Sequence, residues 1–159
     1  MERRIPDFAL VIDATHPYAE VVSAQIRRAC KQTGTSLRRV LRAPSQETGC
    51  VRVESCRDAA EYLRDRPGNV LVTTGSKALR DYACLPPERL YPRILPTHEA
   101  LDICEEMGVP HRNILALQGP FTLEMNTAML AQYRISYLVT KDGGKAGGFE
   151  EKRMAAQKT

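Results

Sequence analysis

The sequence predicts an α/β fold on a mostly parallel sheet, and three observations carry that reading. Short apolar, β-rich runs recur along the chain, stretches with helical spacing separate most of them, and the residues that follow several runs are rich in Gly, Ser, Thr and Lys. Buried strands alternating with amphipathic helices are how a chain reads when helices cover a parallel sheet.

The first run is FALVI at 8–12. Behind it Tyr18, Val21, Val22, Ile26 and Ala29 recur at steps of three and four, which puts them on one helix face, and Gly34 is its stop. LRRVLR at 37–42 supplies a second strand. From 43 to 58 the chain reads APSQETGCVRVESCRD, with Pro, Ser, Gly and polar residues around one short VRV run. Such a change in composition marks a domain boundary, so the predicted domains are 1–50 and 51–159. In the second domain, helices are expected around Ala59, Ala60 and Leu63, around Ala78, Leu79 and Tyr82, around Leu101, Cys104 and Met107 before Gly108, and around Met125, Ala128 and Met129. Strands are expected at VLVTT (70–74), YPRIL (91–95), ILAL (114–117) and ISYLV (135–139). Two strands and one long helix give the first domain too little sheet for an independent core. Four strands make the second a nearly complete small doubly wound unit.

At 159 residues and 43% hydrophobic, the chain suffices for one ordinary domain or two small ones, and disorder is excluded. The net charge of +4, from 23 basic and 19 acidic residues, is scattered rather than concentrated, which argues against a nucleic-acid partner and suits an anionic small ligand. Cys30, Cys50, Cys56, Cys84 and Cys104 form no CxxC pair and no zinc-like cluster with histidine, so neither a metal site nor a disulfide framework is signalled. No apolar run approaches the roughly 18 residues of a membrane helix, and the N-terminal MERRIPDFALVIDA lacks a signal peptide's long apolar core. Reduced thiols and no membrane segment point to the cytoplasm.

In open parallel sheets ligands lie beyond the carboxyl ends of strands, so the loops there are where chemistry is sought. Four stand out: DATHPYA (13–19), TTGSKAL (73–79), QGPFTLEMN (118–126) and TKDGGKAGGFEEK (140–152). In the first, Asp13 and Thr15 suit a ligand, and His16 sits at a helix mouth where the dipole disfavours its cation; the plainer alternative is a helix cap with Asp13 tying down the turn. In the second, the backbone of Gly75, Ser76 and Lys77 after Thr74 fits a phosphate, although the GxxxxGK[ST] spacing is absent and a Ser-capped helix explains it equally. In the third, Gly119 and Pro120 form a rigid turn, Thr122 is an N-cap with Met125 three residues on, and Phe121 is expected in the core. The fourth sets Lys141, Lys145 and Lys152 around Asp142 and four glycines, more glycine than a purely structural loop needs.

Taken together and in this order, VIDATHPYA, TTGSKAL, the RILP run at 93–96, LALQGPF with E-x-N after it, and VTKDGGKAGGFEEK with Ala155-Ala156 resemble the precorrin-6A reductase family of cobalamin biosynthesis. The resemblance runs from about Phe8 to Gln157. It implies two Rossmann-like units with mostly parallel sheets, the N-terminal one incomplete, and a cleft for cofactor and substrate between them. It also implies hydride transfer from NADPH or NADH to C19 of precorrin-6A or its cobalt complex, with a proton to C18. Family members carry a strand with a Gly-Gly-Thr loop and a further βα unit before DATHPYA, and a final strand after the last helix, so the resemblance implies a fragment. They also more often have Ser than Gly at the position of Gly143.

The expected roles divide three ways. Thr74, Gly75, Ser76, Lys77, Gln118, Gly119, Pro120, Lys141, Gly143 and Gly144 are expected to hold the cofactor. Asp13, Thr15, Tyr18, Lys145 and Lys152 are expected to face the macrocycle, and His16 or Asp142 to supply the proton; His98 and His111 are expected in solvent. No metal ligand is expected, and oligomeric state is left open. Two alternatives stand beside this reading: a noncatalytic nucleotide- or tetrapyrrole-binding module, and a tetrapyrrole enzyme of the uroporphyrinogen-III synthase kind, which needs no nicotinamide.

Overall fold

The computed structural model describes residues 5–15, 19–40, 49–142 and 148–159. It divides into two compact units, Met1–Ser45 and Gln46–Thr159. In the first, β1 (Leu10–Asp13) and β2 (Ser36–Arg39) pair in parallel from Leu10 opposite Ser36 to Asp13 opposite Arg39, and α1 (Glu20–Thr33) connects them. The helix stops where the sequence predicts, at Gly34 in the left-handed conformation (φ 71°). Ile5, Ala29 and Cys30 form a small core against which Val11, Ile26 and Leu37 pack. The FALVI run corrects the expectation of a buried strand: Leu10 and Ile12 are exposed while Val11 between them packs inward. A single helix covers one face of a two-stranded sheet, so within this unit the alternate side chains of β1 have nothing to pack against.

The second unit holds a four-stranded sheet in the order β5-β4-β3-β6, with every pair parallel. Its strands are β3 (Asn69–Val72), β4 (Leu90–Ile94), β5 (Leu115–Ala116) and β6 (Ile135–Val139), each overlapping the apolar run that predicts it. The helices are α2 (Cys56–Leu63), α3 (His98–Glu106), α4 (Leu123–Gln132) and α5 (Phe149–Lys158). Three of them start at the hydroxyl that the sequence offers: Ser55, Thr97 and Thr122 accept from the backbone N–H three residues on. Along β3 the side chains alternate. Val70 and Val72 join Ala60, Leu63, Leu79, Tyr82, Leu90, Ile103 and Cys104 on one face, and Leu71 joins Leu115, Met129, Leu130 and Ala155 on the other. Helices on both faces explain why the strands of this unit read as continuous apolar runs.

One element differs from expectation. The segment after β3 is a 3₁₀ helix, Ser76–Tyr82, rather than an α-helix. Three residues per turn bring Leu79 and Tyr82 onto the same side, and both are completely buried.

Arg89 ties the entry to β3 in place: Nε donates to the Gly68 carbonyl at 2.8 Å, and the two terminal nitrogens reach the carbonyls of Leu63 and Arg66. Charge-assisted bonds to carbonyls contribute roughly 1.5–3 kcal/mol. Arg89→Ala is therefore expected to lower unfolding free energy by about 2 kcal/mol, read as a fall in the urea midpoint with an unchanged slope.

Candidate functional site

Parallel pairing places the carboxyl ends of β3 to β6 at one edge of the sheet. From β3 the chain steps to β4 and then β5, and afterwards returns to β6 on the other side of β3. The connections thus part between β3 and β6, and in open α/β sheets a crevice that takes ligands lies at such a switch point.

The loop after β3 borders it. Thr73 donates to the Val139 carbonyl from both its N–H and its hydroxyl, each at 2.9 Å, which extends the pairing with β6 beyond the strand. Thr74 is buried, with its hydroxyl 3.5 Å from that of Tyr82, so both hydroxyls hold the loop from inside. Gly75 has φ 91° and ψ 159°, a conformation that L side chains rarely adopt. Among the described residues a Cβ there would meet nothing within 4 Å, so conformation, not crowding, demands glycine. Ser76 opens the 3₁₀ helix, and the Lys77 ammonium lies 3.8 Å from Glu99 in an exposed pair of little energetic weight.

After β5, Gln118, Gly119 and Pro120 are exposed, and the Gly119–Pro120 peptide is cis. A Cβ at Gly119 would stand 3.0 Å from the Phe121 ring, closer than real contacts allow without a shift. Phe121 packs against the Leu71–Leu115 cluster, as expected, and also lies 4.2 Å beneath the Arg93 guanidinium. Asn126, fully buried, joins the two: its amide donates to the carbonyls of Phe121 (3.3 Å) and Thr122 (2.8 Å), and its Oδ1 accepts from Arg93 Nη1 at 2.8 Å.

After β6, Asp142 accepts from Arg52 at 3.3 Å. Lys152, in the first turn and a half of α5, donates to Thr140 Oγ1 at 3.0 Å. Burial, and then the nearby Arg93 cation, push the Lys152 ammonium down to about 8, against a smaller opposing pull from Glu151. Arg93 itself is 7% exposed, and burial lowers it to about 10. Gly143, Gly144 and Lys145 lie outside the described residues.

In the first unit, Asp13 is buried at the end of β1. Its Oδ1 accepts from the Thr15 N–H (3.1 Å) and hydroxyl (2.6 Å), the same hydroxyl lies 3.0 Å from Ser23 Oγ, and Arg39 stands 3.8 Å from Oδ2. The Thr15 bonds, foremost, hold the carboxyl below its ordinary value. His16 and Tyr18 lie outside the described residues. His98 is exposed, and His111 lies 3.2 Å from Glu105, also in solvent.

The structure thus gathers Gly75, Gln118–Pro120, Lys141 and Lys152 along the carboxyl edge of one sheet. Arg93 and Asn126 belong to the same edge, and sequence reasoning gave neither a role. The available signals were a guanidinium inside the apolar run YPRIL and an amide four residues past a helix cap.

A parallel sheet with helices on both faces and a switch point between β3 and β6 defines a protein of the Rossmann-like α/β class. More particularly, residues 4–159 match the family described as precorrin-6x reductase CbiJ/CobK, and the chain belongs to that family. It is 39% identical over 154 residues to the cobalt-precorrin-6A reductase of Methanothermobacter thermautotrophicus, which covers 94% of this chain and 51% of the relative. To the enzyme of that name from Salmonella typhimurium it is 40% identical over 148 residues, with 89% and 56% covered. The solved structure of a CobK precorrin-6A reductase superposes with a TM-score of 0.72 at 30% identity, covering 96% of this chain and 61% of that one. The chain spans about half to three fifths of the length of these relatives.

The Asp13 network gives a pH dependence of known sign. Its folded pKa lies below the unfolded value of about 3.9, so its contribution is complete above that value and is lost as pH falls through the folded pKa. Urea midpoints are expected to fall below about pH 4, and Asp13→Asn is expected to lower the neutral-pH midpoint and flatten that fall.

Proposed function

We propose that this chain takes part in reducing the macrocycle of precorrin-6A, or its cobalt complex, with NADPH or NADH, saturating one C=C bond to give the 6B dihydro form. Family membership supports the reaction, and the observation that carries the site is the exposed Gly75 turn at the switch point, in a backbone conformation that side chains rarely adopt. When bound, the nicotinamide supplies the hydride for C19, and a proton goes to C18.

The chain's own residues fit such a cofactor. The backbone of Gly75, Ser76 and Lys77 presents N–H groups at the carboxyl end of the first strand of the sheet, where pyrophosphate is held in doubly wound folds. Gln118, Gly119 and Pro120 form the neighbouring wall, kept in place from below by Asn126. Lys141 adds a cation after β6, the strand next to β3, with Gly143 and Gly144 following it in sequence. Lys152 and Lys145 are assigned to the macrocycle's carboxylates, while Asp13, Thr15 and Tyr18 are assigned to face the macrocycle. His16 or Asp142 is assigned the proton. A soluble biosynthetic reaction of this kind belongs in the cytoplasm. Among the described residues no helix is long and apolar enough to cross a membrane.

Cofactor oxidation by a chain completed to the length of its relatives, followed by the loss of its absorbance with precorrin-6A as substrate, tests the reaction; no oxidation by that completed chain would overturn the reading. At the site, Gly75→Ala must adopt a positive φ, at a cost of roughly 1–3 kcal/mol. It is expected to weaken cofactor binding about tenfold or more, read by titration calorimetry. Unchanged affinity would remove Gly75 from the cofactor site.

A further inference from the structure

We infer that Arg93 and Lys152 form a seat for one oxyanion group of a ligand. Arg93 projects from β4, on the face shared by α4 and α5, and is 7% exposed. Its Nη1 is used within the protein, donating to Asn126 Oδ1 at 2.8 Å and approaching Met129 Sδ at 3.6 Å, and its plane stacks on Phe121. The other edge of the fork is different. Nε and Nη2 find no hydrogen-bond partner among the described residues, and each keeps some contact with solvent.

That edge carries two parallel N–H groups, which match two oxygens of a phosphate or carboxylate. A buried guanidinium is normally paired, because an uncompensated buried charge costs several kcal/mol. Here no carboxylate pairs with it among the described residues, and the segment 143–147 that follows β6, Gly-Gly-Lys-Ala-Gly, contains none. A second cation, Lys152, is carried by α5, which packs on the same face of the sheet. The Lys152 ammonium, held by Thr140 Oγ1 at 3.0 Å, is close enough for Arg93 to depress it, with Glu151 as the opposing carboxylate. A buried guanidinium with one edge of its fork unused, over a rigid aromatic floor and with Lys152 on the same face of the sheet, is unfavourable unless an anion completes it; Glu151 Oε2 is also buried there without a hydrogen-bond partner, so it is not bonded to either cation.

The dinucleotide offers phosphate, and the macrocycle offers carboxylate. The choice of these two sources rests on the reductase reading; the seat does not. Its first test therefore uses inorganic phosphate and no reaction. In the wild-type chain, phosphate at tens of millimolar is expected to move the Lys152 titration, followed by NMR of its side chain, from near pH 8 toward the ordinary lysine value of about 10.4. Arg93→Gln is expected to abolish that response and Arg93→Lys to restore part of it, while Lys152→Gln, which removes the reporting ammonium, is expected to weaken phosphate binding measured by calorimetry.

NADP⁺, NAD⁺ and an octacarboxylate porphyrin then separate the sources. A loss of about tenfold or more in both variants for the dinucleotides alone assigns the seat to a cofactor phosphate. The same loss for the porphyrin alone assigns it to a substrate carboxylate. Should Arg93→Gln fail to fold, Lys152→Gln and the wild-type phosphate titration decide. A Lys152 titration unmoved by phosphate, with all three probes bound equally by wild type and Lys152→Gln, would overturn the seat and leave Arg93 a packing residue. Intact phosphate binding without NADPH oxidation by the completed chain would overturn the reductase reading alone.

Discussion

Burial of both faces of a four-stranded parallel sheet is the constraint on which the second unit depends. Parallel strands need crossover connections, and those connections carry helices whose apolar stripes must find the sheet. β3, β4 and β5 follow one another across the sheet, and the chain then returns to place β6 against β3. That return completes the cover on the second face, through α4 and α5 over Leu71 and Leu115, and it also sets the switch point at the carboxyl edge. Core and site therefore come from the same connection. The residues that hold the sheet together, Val72, Leu71 and Val139, are immediately followed by the loops that face solvent at that edge.

Asn126 shows how closely the edge and the core are joined. It is a buried amide that satisfies two carbonyls of the PFT turn while accepting from Arg93, which in turn lies on Phe121 of that same turn. A polar network inside an apolar layer is stable only when its members are satisfied, and Asn126 meets that condition. Arg93 meets it along one edge only. The remaining edge is the one assigned above to a ligand's oxyanion. Glycine plays a similar part at Gly75, where nothing among the described residues crowds the position and the conformation is nonetheless one that side chains rarely adopt.

The strands of the second unit were legible because helices cover them on both faces, so that VLV and ISYLV read as unbroken apolar runs. Helix starts were legible where a hydroxyl caps them, as at Thr122, whose acceptance from Met125 matches the cap without its reciprocal acid. Three features were not. Steps of three serve a 3₁₀ helix as well as an α-helix, so Leu79 and Tyr82 could not separate the two. In β1, FALVI looks like a buried strand although only alternate side chains pack within its unit, because hydrophobicity records what a residue tolerates and not what covers it. Arg93 escaped for the opposite reason. A guanidinium in a strand reads as an edge or surface residue, and only the three-dimensional neighbours, Phe121, Asn126 and Lys152, show it to be buried.

The central claim is that the carboxyl edge of the β5-β4-β3-β6 sheet holds the cofactor. Backbone amide shifts of the isotopically labelled chain during titration with NADPH test it most directly. The account predicts that perturbed amides cluster at 73–77, at 117–122, at 140–142 and around Lys152, with the opposite edge, including Gly68, Arg89 and Tyr133, unmoved. Perturbations confined to residues away from the carboxyl ends of β3, β5 and β6 would contradict it.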